Sequence, residues 1–210
     1  SPELKNYLIE KRKIPKKNIK VITHFSPYEA INNLPNLELK KMFYAGNLGK
    51  PQNLEEFIQS LLEYNIDWKL DIYGAGTEYE KIKEYKNDNI SLNSHIARNE
   101  LVTNVSDLPV AVISLDSRIT IEGFPGKTFD YLSMNKILLS VSNKDSAVAE
   151  FIKRNNLGVN IELGSKKSFL DAFEKLSSSE YLKETLSNIN KINENQISKS
   201  KIINDYYKLL

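Results

Sequence analysis

Residues 41–76, KMFYAGNLGKPQNLEEFIQSLLEYNIDWKLDIYGAG, decide how the rest of the chain is read. Lys41–Ala45 is a short apolar and aromatic run that suits a strand. Leu54, Phe57, Ile58, Leu61 and Leu62 then fall at i, i+3, i+4, i+7 and i+8, which places them on one face of a helix over Leu54–Tyr64. Trp68–Tyr73 is a second strand, closed by Gly74-Ala75-Gly76. Strand, helix and strand in this order fill about the 30 residues of one βαβ unit. A helix between two strands predicts that the strands run parallel, with the helix covering one face of the sheet.

The same alternation continues outward. A charged helix is expected over Glu78–Tyr85, a brief strand at Ile90–Leu92 and a short helix over Arg98–Val105. Pro109–Leu115 (PVAVISL) is the most apolar strand and belongs in the middle of the sheet, where both faces are covered. A helix begins at Gly126 and runs to Met134, a buried strand follows at Lys136–Val141, and a helix covers Asp145–Asn155, capped by Asp145 or Asn143. Leu157–Ile161 is the last strand. From Ser165 onward the chain is helical and polar, with an apolar stripe at Phe169, Ala172, Phe173 and Leu176, and a final helix with Ile202, Ile203, Tyr206, Tyr207 and Leu210 on one face. Ahead of residue 41, Leu4, Tyr7 and Leu8 mark a helix and Ile19–Thr23 a short strand. The Pro- and Asn-containing segment Ser26–Glu38 reads as a linker. The predicted fold is α/β, a Rossmann-like parallel sheet flanked by helices with a helical C-terminal extension.

Composition excludes several functions. The 29 Lys and Arg residues against 27 Asp and Glu leave a net charge of +2, too small a surplus to predict nucleic acid as a partner. No cysteine is present, which removes disulfides and thiolate metal sites. The two histidines, His24 and His95, lack ligand spacing, so no metal is expected. No apolar run nears the ~18 residues of a membrane span, and no secretory signal is visible. A cytoplasmic location is expected. The basic stretch Lys11-Arg12-Lys13 with Lys16-Lys17 is either a solvated loop or a peripheral contact with the inner face of a membrane. The start at Ser1-Pro2, directly in a helical pattern, reads as a fragment of a longer protein or a processed chain.

In an open parallel sheet, ligands bind outside the carboxyl ends of the strands, so the loops after each strand carry the candidates. Gly46-Asn47-Leu48-Gly49-Lys50 follows the first main strand. Its glycines let backbone amides approach an anion and Lys50 adds a charge; an ordinary turn with a surface lysine explains it equally. Gly74-Ala75-Gly76 begins a dinucleotide fingerprint, but Tyr79 stands at the third glycine, so a structural turn is the better reading. Gly126-Lys127-Thr128 imitates the end of a phosphate-binding P-loop, but Ile121 occupies the position of the required glycine and that reading fails. What remains is Glu122-Gly123-Phe124-Pro125-Gly126-Lys127-Thr128, a loop running into a helix, with Asp130 further on. Two carboxylates beside a helix N-terminus can bind sugar hydroxyls while amides hold phosphate; a capped helix with a surface Asp accounts for the same residues. His95, in Ser94-His95-Ile96-Ala97, contacts a ligand or is simply solvated. Tyr44, Trp68 and Tyr73 are read as core.

Taken together in order and spacing, YAGNLGKPQNLEEFI, LDIYGAGTEYEKI, NISLNSHIARNEL, EGFPGKTFDYLSMNKILLSV and NNLGVNIE resemble the C-terminal domain of GT-B glycosyltransferases of the retaining family 4 type, above all those that build bacterial capsule and O-antigen polysaccharides. The resemblance spans roughly Lys41–Ile161. It implies that Glu122 and Asp130 stand for that family's two glutamates seven residues apart, the first contacting the donor sugar in the catalytic region and the second holding the ribose hydroxyls. Asp130 is one methylene shorter than the family residue. Phe124, Pro125 and Gly126 match the stretch that wraps the sugar and diphosphate, and Lys50 the lysine on the diphosphate. Asn47 replaces a frequent arginine, so phosphate binding is expected to lean on Lys50, Lys127 and helix-end amides, with Gly46, Gly49 and Thr128 in the same loops. His95 and Ile96 fall where the family's backbone reads the base.

The resemblance further implies the domain plan. Residues 1–25 would be a remnant of the N-terminal acceptor domain, 26–39 the interdomain linker, 40–164 the Rossmann-like nucleotide-sugar domain, and 165–210 C-terminal helices, the last crossing back toward the acceptor domain. The expected activity is transfer of a sugar from a nucleoside diphosphate donor, UDP first by family frequency, to an acceptor hydroxyl with retention, with no cofactor or metal. The acceptor, a saccharide or lipid-linked saccharide, would bind the N-terminal domain, so this piece alone is expected to turn over little. The alternatives are a non-catalytic nucleotide-sugar sensor or subunit, a GT-B-shaped epimerase for which only His95 offers acid–base chemistry, and, more distantly, a receiver-like domain, which lacks its acidic cluster here.

Overall fold

The computed structural model describes residues 2–22, 24, 26, 33–119, 124–195 and 197–208. Six strands form one sheet in the order β3-β2-β1-β4-β5-β6: β1 (Lys41–Asn47), β2 (Lys69–Ala75), β3 (Ile90–Asn93), β4 (Val110–Ser114), β5 (Ile137–Val141) and β6 (Gly158–Ile161). Every neighbouring pair is parallel. This is the doubly wound order whose direction of growth reverses between β1 and β4. All residues of β4 and β5 are buried, as strands covered on both faces must be. The helices α2 (Leu54–Glu63), α3 (Tyr79–Lys83), α4 (Arg98–Asn104), α5 (Lys127–Ser133) and α6 (Ala147–Asn155) connect them.

The reversal opens the sheet at its carboxyl end. β1 stays in register with β2 as far as Asn47 opposite Ala75, but pairs with β4 only at Met42–Val110 and Phe43–Ala111. Beyond Phe43 the backbone of β1 needs other partners on the β4 side. The Tyr131 hydroxyl provides them, accepting from Ala45 N–H and donating to Ala45 C=O, both at 3.0 Å. Its ring is buried edge-on against Phe43, 5.1 Å between centroids.

The expected turn at Gly74–Gly76 has a packing reason. A Cβ on Gly74 would overlap the Gly46 carbonyl, and one on Gly76 the Leu48 carbonyl. The two glycines therefore let the loops after β1 and β2 lie against each other, with Leu48 N–H donating to Ala75 C=O at 2.9 Å.

The C-terminal helices α7 (Lys166–Leu176), α8 (Ser179–Asn195) and α9 (Lys199–Tyr207) pack on this sheet unit to different degrees. The stripe Phe169, Ala172, Phe173 and Leu176 is buried. Phe169 stacks on Phe57 of α2 at 5.9 Å and meets Tyr64 edge-on at 5.2 Å, while Phe173 lies 5.7 Å from Trp68. Each such ring contributes about 1.5–3 kcal/mol by burial. Helix α8 is tied to the end of α5 through Asn193, whose Nδ2 donates to Leu132 C=O at 2.8 Å. On α9 only Ile202 is buried, and Tyr206 and Tyr207 are exposed.

Two expectations are corrected. Helix α1 (Pro2–Glu10) is present, but Ile19–Ile22 is not a strand: Ile19 is extended, yet no described strand pairs with it, and an extended segment without a ladder partner is not a strand. Thr23 lies outside the described residues. The cap of α6 is Ser146, whose Oγ accepts from Ala149 N–H at 3.2 Å, and not Asp145 or Asn143. Asn143 instead accepts from the Asp145 N–H at 2.9 Å, turning the chain one step before the helix. No helix among the described residues is long and apolar enough to cross a membrane.

Candidate nucleotide-sugar site

At the β1–β4 opening lies a cavity of about 340 Å³ lined by Ala45, Gly46, Tyr73, His95, Ile96, Arg98, Leu101, Lys127, Asp130, Tyr131 and Met134. Its size suits a compact polar ligand. Five of the expected site residues thus come together: Gly46 at the end of β1, His95 and Ile96 after β3, and Lys127 and Asp130 on α5.

Lys127 is the distinctive group. Its ammonium lies 4.0 Å from the centre of the Tyr44 ring. Gly46 leaves room for it, since a Cβ there would come within 2.7 Å of Nζ. Tyr44 is held under it by donating its hydroxyl to Asn47 C=O at 2.6 Å. Lys127 has no carboxylate partner among the described residues. Burial therefore pushes its pKa down from 10.5 to about 8. The ring face compensates only about 0.5–2 kcal/mol. A desolvated cation facing a cavity is a place where an anion is stabilised.

Asp130 stands one helical turn further along α5. Its Oδ1 accepts from Ser26 Oγ at 2.8 Å, and its C=O accepts from Ser133 Oγ at 2.7 Å. Arg98, at the start of α4, donates from Nη2 to Ser133 Oγ at 3.2 Å. Sequence reading missed Arg98, although it is the first cation after the Ser94–Ala97 loop and so sits at a strand's carboxyl end. Tyr131 and Met134 were missed because helix α5 presents successive faces to the cavity and the core.

The other expected residues that the structure describes are not part of this lining. Gly49 and Lys50 line a second hollow of about 260 Å³ that includes Glu78, Lys81, Asp116 and Arg118. Thus residue 46 faces one cavity and residues 48–50 the other, and the two lysines do not share a wall. Asn47 donates from Nδ2 to Gln52 Oε1 at 3.3 Å. Phe124 stacks on Phe129 and meets Phe151 edge-on, both at 5.3 Å, so its ring packs on α5 and α6 and not in the cavity. Pro125 and Gly126 supply carbonyls to the Thr128 and Phe129 amides at 3.0 and 3.1 Å, so those two first-turn amides are already engaged. Thr128 is fully buried and does not line the cavity; its Oγ1 has no hydrogen-bond partner among the described residues. Glu122 lies outside the described residues. Among the described residues no cluster of His, Asp or Glu is arranged for a metal ion.

No family model matches this sequence, and no curated protein matches it. Solved structures do match the fold. WaaG, a glycosyltransferase involved in lipopolysaccharide biosynthesis, is 12% identical with a TM-score of 0.68, over 92% of this chain and 56% of that chain. The C-terminal domain of LpcC, a glycosyl transferase group 1 family protein from Francisella tularensis, is 19% identical with a TM-score of 0.56, over 82% of this chain and 94% of that domain. The pneumococcal O-GlcNAc transferase GtfA, solved with UDP and GlcNAc, is 18% identical with a TM-score of 0.63, over 98% of this chain and 42% of that chain. The chain thus spans about half the length of WaaG and less than half of GtfA. At such identities the likeness is one of fold, and this chain has the fold of the C-terminal half of a GT-B glycosyltransferase.

Proposed function

We propose that this chain is the donor-binding part of a retaining glycosyltransferase that uses a nucleoside diphosphate sugar, UDP-linked, and adds the sugar to an acceptor hydroxyl in bacterial surface polysaccharide synthesis. The carrying observation is the convergence of Lys127, Asp130, Gly46, His95 and Ile96 on one cavity at the sheet's opening. In this reading Lys127 neutralises the diphosphate, Asp130 accepts from the ribose hydroxyls, and the His95–Ile96 backbone faces the base. Gly46 admits the lysine and the phosphates to the same space. The separate placement of Lys50 favours Lys127 over Lys50 as the phosphate cation. UDP in the GtfA complex and the lipopolysaccharide role of WaaG support the donor and the process.

The chemistry follows from charge. As the bond between the anomeric carbon and the diphosphate oxygen stretches, negative charge accumulates on the leaving diphosphate, and a fixed cation in a partly desolvated wall stabilises it more than water would. Glu122, by resemblance, faces the sugar, and the acceptor comes from the other half of the enzyme.

A calorimetric screen of UDP, GDP and ADP and their sugars against the chain tests the reading. UDP should bind, and Lys127→Met and Asp130→Asn should each weaken it tenfold or more (~1.4 kcal/mol). Equal binding by wild type and both variants would place the nucleotide elsewhere.

A further inference from the structure

Asp130 is not oriented by its own helix alone. Ser26, 104 residues earlier, donates its hydroxyl to Asp130 Oδ1 at 2.8 Å and is buried, with 6% of its surface exposed. Ser133 Oγ lies 3.3 Å from Ser26 Oγ. The single proton of Ser133 goes to the Asp130 carbonyl at 2.7 Å, and the Ser26 proton goes to the carboxylate, which is nearer than Ser133 Oγ and carries the charge. Two residues before Ser26, the His24 ring meets Phe129 edge-on at 5.4 Å. His24 and Ser26 therefore touch α5 at the consecutive residues Phe129 and Asp130. The other carboxylate oxygen, Oδ2, has no hydrogen bond to a described residue, and Asp130 lines the cavity.

We propose that Ser26 is a positioning residue for nucleotide recognition. It ties one oxygen of Asp130 and so fixes the carboxylate plane, presenting the second oxygen to the ribose hydroxyls. A side chain held by a supporting hydrogen bond loses less rotamer freedom when its ligand arrives. The proposal rests on reading Asp130 as the ribose-binding group. It goes further in making ribose recognition depend on a residue outside the sheet, 104 positions from the carboxylate it orients.

The test is calorimetric titration of UDP and of 2′,3′-dideoxyuridine diphosphate into wild type, Ser26→Ala, Ser26→Thr and Asp130→Asn. Ser26→Ala should bind UDP up to about tenfold more weakly, the scale of immobilising one side chain on binding. Ser26→Thr, which keeps the hydroxyl, should restore most of that affinity. The dideoxy nucleotide should bind wild type and Ser26→Ala alike, because it offers no hydroxyls to the carboxylate. If Ser26→Ala does not fold, Ser26→Cys, of similar volume and weaker as a donor, should show the same UDP-specific loss. An equal loss for both nucleotides, or none for either, overturns the role of Ser26. If Asp130→Asn binds UDP as wild type does, or if wild type binds no UDP, the ribose reading itself fails and this proposal falls with it.

Discussion

Raising the pH from 7 to 9 should weaken UDP binding to this chain about tenfold, and the size of the effect follows from Lys127. Its pKa in the free chain is about 8. About nine in ten copies carry the proton at pH 7 and about one in ten at pH 9. A bound diphosphate favours the charged lysine and raises its pKa, so the complex keeps the proton across this range. The free chain must then take up a proton in order to bind, and affinity falls as the pH rises through about 8. The change amounts to ~1.4 kcal/mol. The nucleotide itself adds little slope, because a terminal phosphate has its second pKa at about 6. The stability of the unliganded chain should move the other way. Its folded pKa lies below the unfolded value, the unfolded chain binds more protons between about 8 and 10.5, and stability therefore rises with pH through that window. Titration calorimetry at fixed ionic strength measures the first effect and urea unfolding the second. Lys127→Met should bind weakly at both pH values with no slope, and Lys127→Arg should stay flat because its charge does not titrate. A wild-type affinity unchanged within about twofold between pH 7 and 9, or the same slope in Lys127→Met, would refute the assignment of the phosphate to this lysine.

Three further substitutions test the scaffold that holds the site. Tyr131→Phe leaves Ala45 N–H and C=O without their hydroxyl partner and should cost about 1–3 kcal/mol in urea unfolding; a smaller loss would mean that water replaces the phenol. Gly158→Ala should destabilise by more than ~1 kcal/mol, because Gly158 has a φ of 147° and a Cβ would overlap the Leu138 carbonyl; an unchanged melting temperature would contradict that packing. Phe169→Ala removes the ring shared by Phe57, Tyr64 and Phe173 and should cost about 3–5 kcal/mol, lowering the melting temperature without changing nucleotide specificity.

Local patterning settled most of the architecture. Apolar runs and helical stripes from Lys41 to Ile161 place every strand of the sheet, because side-chain periodicity is written into neighbouring residues and survives without knowledge of the partner. The glycine loops and the carboxylate and lysine on α5 were legible for the same reason: each is a short motif at a strand's end. Ile19–Ile22 misled because its apolar run matches a strand, while pairing depends on a neighbour that sequence spacing does not reveal. The cap of α6 misled because Asn143, Asp145 and Ser146 are all capping types and only backbone conformation selects Ser146.

Tertiary structure decided which lysine lines the cavity at the sheet's opening. Lys50 and Lys127 are equivalent as letters, but the loop after β1 carries Lys50 to one hollow while Tyr44 and Gly46 hold Lys127 in the other. It also joined Ser26 to Asp130 across 104 residues and Tyr131 to Ala45 across 86. Such contacts form because backbone and carboxylate groups taken from water must find partners wherever the folded chain brings them. No local pattern specifies those partners, since the distance along the chain carries no information about which surfaces meet.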